Sequence, residues 1–575
     1  MAHCLTENGK WKTVHQHDGD WTSPSLTDRL ESLSKIEQRP VDKISNKHPP
    51  EERSKATAAN ERRRTWFRIV ALTITPLALL FGVEGVIRTA GCGYATCFLR
   101  TRPLQGRIVW TGNPDFGRRF FSPGLTRYPH QFIIPQSKSP NALRVFVFGE
   151  SAAMGDPDFK FGLPRMLEVL LRERFPERRI EVINAAMVAI NSHVVLPIAR
   201  DSVGRGADLW VVYMGNNEMV GPFGSASIFG ARAPALPVIR ASLWLKETRV
   251  GQLLDAGIYW LRRRGQPSPK WRGMEMMVEQ KVHPHSSQNE RVYRSFSRNL
   301  SALLETASSK GVPVVLCTVA TNLKDCAPFA SLHRPGLTGR ELSDWQSAFD
   351  KACALQKAGS SAEAKAAYEN AVRTDPDFAE VWFRLAECSR LLGRASEAAD
   401  FYAKARDHDA LQFRADSSIN ESIRRAAAAF SGRGVSLVDA EQLFATNSPQ
   451  GLTGAEYFYE HVHLTPEGNY LLASAVAEAG AEALGLKAQR AWAPLPECLR
   501  LVGLTDWNRY DALNTILDRL QRAPFTSQSD HERQLERLNA QFSRYRPGTK
   551  PAQARSDAAQ ISEQVKRFPE DPDLR

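Results

Sequence analysis

Two short segments far apart in this 575-residue chain carry the residue types of nucleophilic catalysis. Gly149-Glu150-Ser151-Ala152-Ala153-Met154-Gly155 sets a serine between glycines at the end of an apolar run, where a tight turn leaves its hydroxyl clear of the backbone. Such a serine also caps helices in many proteins, so it acquires chemistry only beside a base. Glu460-His461-Val462-His463 supplies one, with a carboxylate three residues before an imidazole that it can orient. Two further blocks, 184–192 (Asn184 through Ala189, Asn191 and Ser192) and Gly215-Asn216-Asn217-Glu218, are rich in small and amide residues. They either aim N–H donors at a developing oxyanion or make ordinary turns. His461-Val462-His463 with Glu460 also has the donor types of a metal site, but one H-x-H pair without a third and fourth partner is a poor match, and neither a metal nor a cofactor is expected.

The blocks act together only if the fold gathers them. Five short runs, 144–148, 180–183, 208–214, 312–318 and 435–439, are apolar at almost every position, and helical patterns such as 163–175 separate the first three. Strands apolar on both faces and alternating with helices predict a parallel sheet covered on both sides. Ligands of such sheets bind beyond the carboxyl ends of the strands, where the serine and amide blocks fall. The composition, 42 % apolar and 24 % charged, is that of a globular chain with a sizeable core. A net charge of +12 raises the question of nucleic acid, but its 75 basic and 63 acidic residues are interspersed, and no nucleic-acid partner is expected.

In this order the four blocks resemble the SGNH (GDSL-like) hydrolases, over about 144–218 and 312–475. The resemblance implies an α/β fold, a flavodoxin-like α/β/α sandwich on a parallel five-stranded sheet, and hydrolysis or transfer of esters. By it Ser151 is the serine nucleophile, His463 the general base and Glu460 the orienting acid, while the N–H groups of Ser151 and Ala189 and the Asn217 side chain form the oxyanion hole. Glu150, Asn191, Glu218, Asn322 and Arg414 are candidate substrate contacts. Three positions depart from the family pattern: Glu150 stands for the Asp of G-D-S, Ala189 for a glycine and Glu460 for the Asp before the histidine. A backbone donor survives Gly→Ala where the dihedrals permit, and Glu serves in triads. The G-x-S-x-G elbow of α/β-hydrolases is not met, because Ala153 occupies its closing position. The expected activity is an esterase removing O-acyl, most simply O-acetyl, groups from a carbohydrate or bacterial envelope polymer. Its alternatives are O-acyl transfer through the same Ser151 acyl-enzyme and a catalytically idle scaffold of an envelope assembly.

Two inserts interrupt the hydrolase pattern, whose parts are expected over 110–340 and 416–490. Ala362-Glu363-Ala364, Tyr368, Ala371 and Asp375 recur 34 residues later as Ser396-Glu397-Ala398, Tyr402, Ala405 and Asp409. This spacing, with alanines for close helix crossings and tyrosines for the core, resembles a pair of tetratricopeptide (TPR) repeats and predicts an all-α insert over 345–415. Two repeats bury little alone, so they are expected to lean on the sheet or on a protein partner. A second insert, 222–290, holds a basic amphipathic stretch over 238–264 that reads as a core-facing helix, a lid or a membrane-surface helix. The region 491–575 is expected to be a helical extension, and 564–575 resembles the close of a TPR helix, as in a degenerate unit or a chain that continues further.

Residues 65–88 form an apolar run broken by Glu84, about the length of one membrane crossing. Residues 1–64 read as a polar tail. Six Lys/Arg over 47–64 against four over 88–107 place that tail in the cytoplasm and the rest beyond the inner membrane, in the periplasm. Cys92 with Cys97, and Cys317 with Cys326, are either disulfides or free thiols.

Overall fold

The computed structural model describes residues 50–264, 267–546 and 551–568. The chain divides into two units after Leu79.

In the first unit the described residues are helical. The expected tail is therefore helical from Pro50, and 1–49 lie outside the described residues. The reason is local: 50–64 is rich in Ala, Glu, Lys and Arg, strong helix formers behind a proline at the first turn. Within Asn60–Thr89 an 18-residue window reaches a mean hydropathy of 2.0 with none of it buried, unlike the core helix of a globular domain. The helix is long and apolar enough to cross a membrane. Pro76 lacks the N–H that would close the turn before it, and the ladder slips to a π-turn over Val70–Ile74. The Thr73 hydroxyl donates to the Ile69 carbonyl and Thr75 Oγ1 to Val70 O at 3.1 Å, so these polar groups are satisfied within the helix.

The second unit is built on the predicted sheet. Strands β1 (Ala142–Gly149), β2 (Arg179–Asn184), β3 (Leu209–Tyr213), β4 (Val314–Cys317) and β5 (Val435–Val438) lie parallel in the order β2-β1-β3-β4-β5. Val145 stands opposite both Val182 and Leu209, Val211 opposite Val315, and Leu316 opposite Leu437. All eight residues of β1 are buried, as a central strand covered on both faces requires. Helices Leu163–Arg174 and Pro466–Ala483 pack together as one layer, and Ser192–Ser202, Ser287–Ser308 and Ser417–Phe430 as the other. Each long helix starts on a side-chain cap where the sequence offers one: Ser286, Asp416 and Thr465 accept from Asn289, Ile419 and Gly468.

A three-stranded antiparallel sheet (Leu99–Leu104, Arg107–Gly112, Ile133–Pro135) precedes β1, so ordered structure begins ahead of the expected boundary at 110. Arg144 ties it to the main sheet, with its guanidinium buried against Glu181 at 2.7 Å and the carbonyls of Arg205 and Pro135. The insert between β4 and β5 holds four helices, Gly339–Lys357, Ser361–Thr374, Ala379–Leu391 and Ala395–Asp407. The repeat pattern is their packing: Tyr368, Tyr402, Ala364, Ala371, Ala398 and Ala405 are all buried. This small core continues onto Ala327 and Leu452 of the sheet unit, which completes what two repeats cannot bury alone.

The stretch 238–264 is two helices, Leu236–Glu247 and Arg249–Arg262, rather than one, because Thr248 caps the second by accepting from Gly251 at 2.9 Å. The extension folds as helices including Leu495–Leu501, Asp506–Leu520, His531–Tyr545 and Pro551–Arg567. Phe568 stacks against Arg172 of helix Leu163–Arg174 rather than on a repeat, and 569–575 lie outside the described residues. Cys92, Cys97, Cys317 and Cys326 are free thiols.

Gly149 is the tightest point of the sheet. A Cβ there would stand 2.1 Å from the Tyr213 carbonyl oxygen and 2.5 Å from Ala153 Cβ. Gly149→Ala is expected to lower stability by about 1–3 kcal/mol, read as a fall in melting temperature.

Candidate active site

Three loops at the carboxyl ends of β1, β2 and β3 meet beside Ser151. Glu150 is extended at the end of β1, Ser151 opens a one-turn helix, and Gly155 closes it at φ +100°. After β2 the chain turns through Ala189, which adopts φ +56°. That left-handed conformation costs an alanine about 1 kcal/mol and is held by the buried neighbours Met187 and Ile190. Among the described residues the Ala189 N–H donates to no protein acceptor. After β3, Asn217 turns its side chain into the same cavity.

Two buried glutamates fix these loops relative to one another. Glu150 accepts the N–H of Asn216 at 2.8 Å and of Asn217 at 3.2 Å, so the residue next to the serine carries the Asn217 loop. Glu218 accepts the Ser192 N–H at 2.7 Å and the Ser192 hydroxyl at 2.9 Å, tying that loop to the Ala189 turn. Burial, then the Glu218 carboxylate, pushes the Glu150 carboxyl well above its ordinary value. Burial raises Glu218 to about 7 against the pull of its Ser192 bonds.

The candidate base, His463, lies in the loop before helix Pro466–Ala483. The Ser151 hydroxyl stands 2.8 Å from His463 Nε2, and His463 Nδ1 faces Glu460 Oε1. With Nδ1–H donated to Glu460, Nε2 carries the ring's lone pair and faces the serine hydroxyl. Both ring nitrogens are thus engaged by the protein. Burial alone would raise the fully buried Glu460 carboxyl, but His463 and His461 outweigh it and hold it well below the usual range. His461 Nδ1 lies 2.6 Å from the other Glu460 oxygen, in a pocket of Phe329, Phe413 and Phe525. Burial keeps that imidazole below its ordinary value despite Glu460.

The extension supplies a residue that carries no sequence signal. Arg519, in the last turn of helix Asp506–Leu520, donates to Glu460 Oε1 at 2.9 Å and to both oxygens of Asp156 at 2.9 and 3.1 Å. Asp156 in turn lies 3.2 Å from His463 Nε2. Burial raises the Asp156 carboxyl, but His463 and Arg519 win and lower it. His463 therefore sits between two carboxylates bridged by one guanidinium.

A cavity of about 420 Å³ opens over Ser151, Ala189, Asn217 and His463. Trp271, Arg272, Met274 and Met277 of the second insert, Phe413 after the repeats, and Asp518, Arg519, Arg522 and Phe525 of the extension complete its walls. None of the five expected substrate contacts lines it. Glu150 and Glu218 are spent on the loops, and Asn191 Nδ2 donates to the Pro222 carbonyl at 2.9 Å. Asn322 donates to the Glu460 carbonyl at 2.8 Å, and Arg414 holds the Asn322 and Cys326 carbonyls at 2.9 and 2.8 Å. Polar types beside a motif read as ligand contacts in sequence, and burial turns them into braces.

A tetratricopeptide-repeat family profile matches residues 349–413. Among solved structures the chain is similar to an acetylxylan esterase from Geobacillus stearothermophilus (10 % identity, 61 % of this chain, 96 % of that one, TM-score 0.27). It is also similar to a lipase/acylhydrolase from Enterococcus faecalis (13 %, 61 % and 100 %, 0.26) and to an alpha/beta hydrolase from the metagenome of Lake Arreo, Spain (13 %, 60 % and 95 %, 0.26). No curated protein matches it.

Removing the Arg519 charge leaves Glu460 and Asp156 unbridged. Arg519→Gln is expected to cut kcat by up to about 100-fold with KM nearly unchanged, measured as initial rates over a range of ester concentrations. Stability carries a pH signature. A carboxyl raised by folding contributes stability that is complete below its unfolded value of 4.5 and is lost as pH rises through the folded value of about 7. The melting temperature should fall between about pH 5 and pH 8, and Glu218→Gln should flatten that fall.

Proposed function

We propose that this protein is an SGNH-type serine esterase, anchored by its apolar helix, that removes O-acyl groups from a carbohydrate or envelope polymer. The observation that carries the reading is the 2.8 Å contact between Ser151 Oγ and His463 Nε2, backed by Glu460 and facing the cavity shared with Ala189 and Asn217.

Ser151 Oγ attacks the ester carbonyl as His463 Nε2 takes its proton, and Glu460 stabilises the imidazolium across Nδ1. The carbonyl oxygen becomes an oxyanion held by the Ser151 and Ala189 N–H groups and the Asn217 amide, donors already in place before reaction. His463 then gives its proton to the departing sugar oxygen, leaving the acyl group on Ser151. Water activated by the same imidazole attacks this ester and releases the acid and free serine. A sugar hydroxyl in place of that water would make the reaction a transfer.

Aromatic faces from Trp271, Phe413 and Phe525 beside Arg272, Asp518 and Arg522 suit a hydroxylated ring better than a long acyl chain, which supports a sugar ester. The apolar helix and the basic bias before it support a cytoplasmic amino terminus with the catalytic unit beyond the inner membrane. The four repeat helices, none of whose residues lines the cavity, support docking of a protein partner or polymer rather than bond cleavage.

The test is acetate release from p-nitrophenyl acetate and from an acetylated oligosaccharide by the full chain. Ser151→Ala is expected to lose at least about 10⁴-fold in kcat, and Asn217→Ala about 10²–10³-fold with little change in KM. Turnover retained in Ser151→Ala would overturn the assignment. Acetyl recovered on an added sugar would make the enzyme a transferase.

A further inference from the structure

The second insert turns a large apolar surface away from the protein. Its two helices, Leu236–Glu247 and Arg249–Arg262, pack on each other and bury Leu236, Ile239, Leu243, Gly251 and Gln252. Gln252 locks the buried side, accepting the Tyr94 N–H at 2.9 Å and donating to the Tyr94 carbonyl at 3.1 Å. The remainder is open: Trp244, Trp260 and Leu261 are more than 60 % exposed, and Leu254 and Ile258 about half. Leu254, Ile258 and Leu261 recur at spacings of four and three, which puts them on one helix face. Single exposed apolar residues are ordinary on a protein surface, whereas two tryptophans and a leucine-isoleucine stripe on one hairpin are not. Over 236–264 there are six basic residues against two acidic, and both acids are already paired, Glu247 with Arg119 and Asp255 with Lys246.

What covers this face follows from where the hairpin is tied. Glu84, near the carboxyl end of the apolar helix Asn60–Thr89, accepts the N–H groups of Arg249 and Val250 at 2.9 Å each, in the first turn of the second hairpin helix. Arg88, which pairs with Glu84 at 2.6 Å, reaches the Glu247 carbonyl at 3.5 Å. The hairpin is therefore pinned to the end of the one helix, among the described residues, that is long and apolar enough to cross a bilayer. A bilayer crossed by that helix has its headgroup layer near Glu84 and Arg88, within reach of the exposed face. Tryptophan favours that layer, and unpaired arginines favour anionic lipid.

We propose that the hairpin lies in the headgroup layer of an anionic bilayer, as a second membrane contact beside the spanning helix. It rests on the spanning reading for the position of the bilayer.

The test reconstitutes the full chain in vesicles of phosphatidylcholine and phosphatidylglycerol doped with a photoactivatable diazirine phosphatidylcholine, and maps lipid adducts by mass spectrometry. Adducts are expected on peptides of both 60–89 and 238–262. In Trp244→Glu/Leu254→Glu/Ile258→Glu the hairpin adducts should vanish while those on 60–89 and the melting temperature persist. The wild-type map decides alone should that variant fail to fold. Hairpin labelling no higher than on the outer repeat helix Gly339–Lys357, with 60–89 labelled, overturns this inference and leaves the spanning reading intact. A labelled hairpin beside an unlabelled 60–89 supports the hairpin contact and overturns the spanning reading. Neither labelled overturns both. A hairpin free of lipid but cross-linked to a second copy overturns the inference in favour of self-association.

Discussion

The Glu460 carboxylate is a charge placed where water cannot reach it, and much of the site can be traced to the groups that compensate it. A fully buried carboxylate survives ionised only when cations and N–H donors surround it. His463 and Arg519 take one of its oxygens, the Val462 N–H donates to the other at 3.1 Å, and the His461 ring lies 2.6 Å from that second oxygen. Its own backbone carbonyl is held by Asn322, whose carbonyl is held in turn by Arg414 at the exit of the repeats. One ionised group thus draws on the loop after β4, the segment following the repeats and the carboxyl-terminal extension. The His463 tautomer that leaves Nε2 free for the serine is a by-product of that compensation.

The oxyanion side is built on the opposite electrostatic choice. Glu150 and Glu218 are buried without a cation at hydrogen-bond distance, and burial raises both carboxyls instead of being overcome. Their value lies in geometry: each accepts N–H groups from a neighbouring loop and so fixes where Ser151, Ala189 and Asn217 stand relative to one another. Rigid donors need no reorganisation when charge develops, which is what the proposed oxyanion role asks of them. The positive φ of Ala189 belongs to the same scheme, a local cost accepted because both neighbouring loops are anchored.

The parts of this arrangement that were legible in the sequence are those with a local cause. Strand runs apolar on both faces, the 34-residue offset and the four blocks each depend on residues close together in the chain, and the five strands fall within about two residues of their expected bounds. Arg519 and Asp156 were not legible, because an arginine on an amphipathic helix looks the same facing solvent or facing a triad. The Thr505–Asn508 capping box announces the helix that carries Arg519 but not its destination. Arg414 stood out by position, yet its role depended on which carbonyls the fold would bury against it. The hairpin break at Thr248 had a signal, a threonine able to cap, that a reading of hydrophobic periodicity alone passes over.

Arg519 lies close to the carboxyl terminus, whereas Ser151 is in the first third of the chain. Synthesis runs from one to the other, so the sheet, the serine and the histidine all leave the ribosome before the guanidinium that neutralises Glu460 and Asp156. Until the segment beyond Asp506 has emerged and docked, the growing chain holds two carboxylates without their common cation and a cavity without one wall. The two carboxylates beside His463 therefore acquire their common cation only after the strands and loops that carry them have been made.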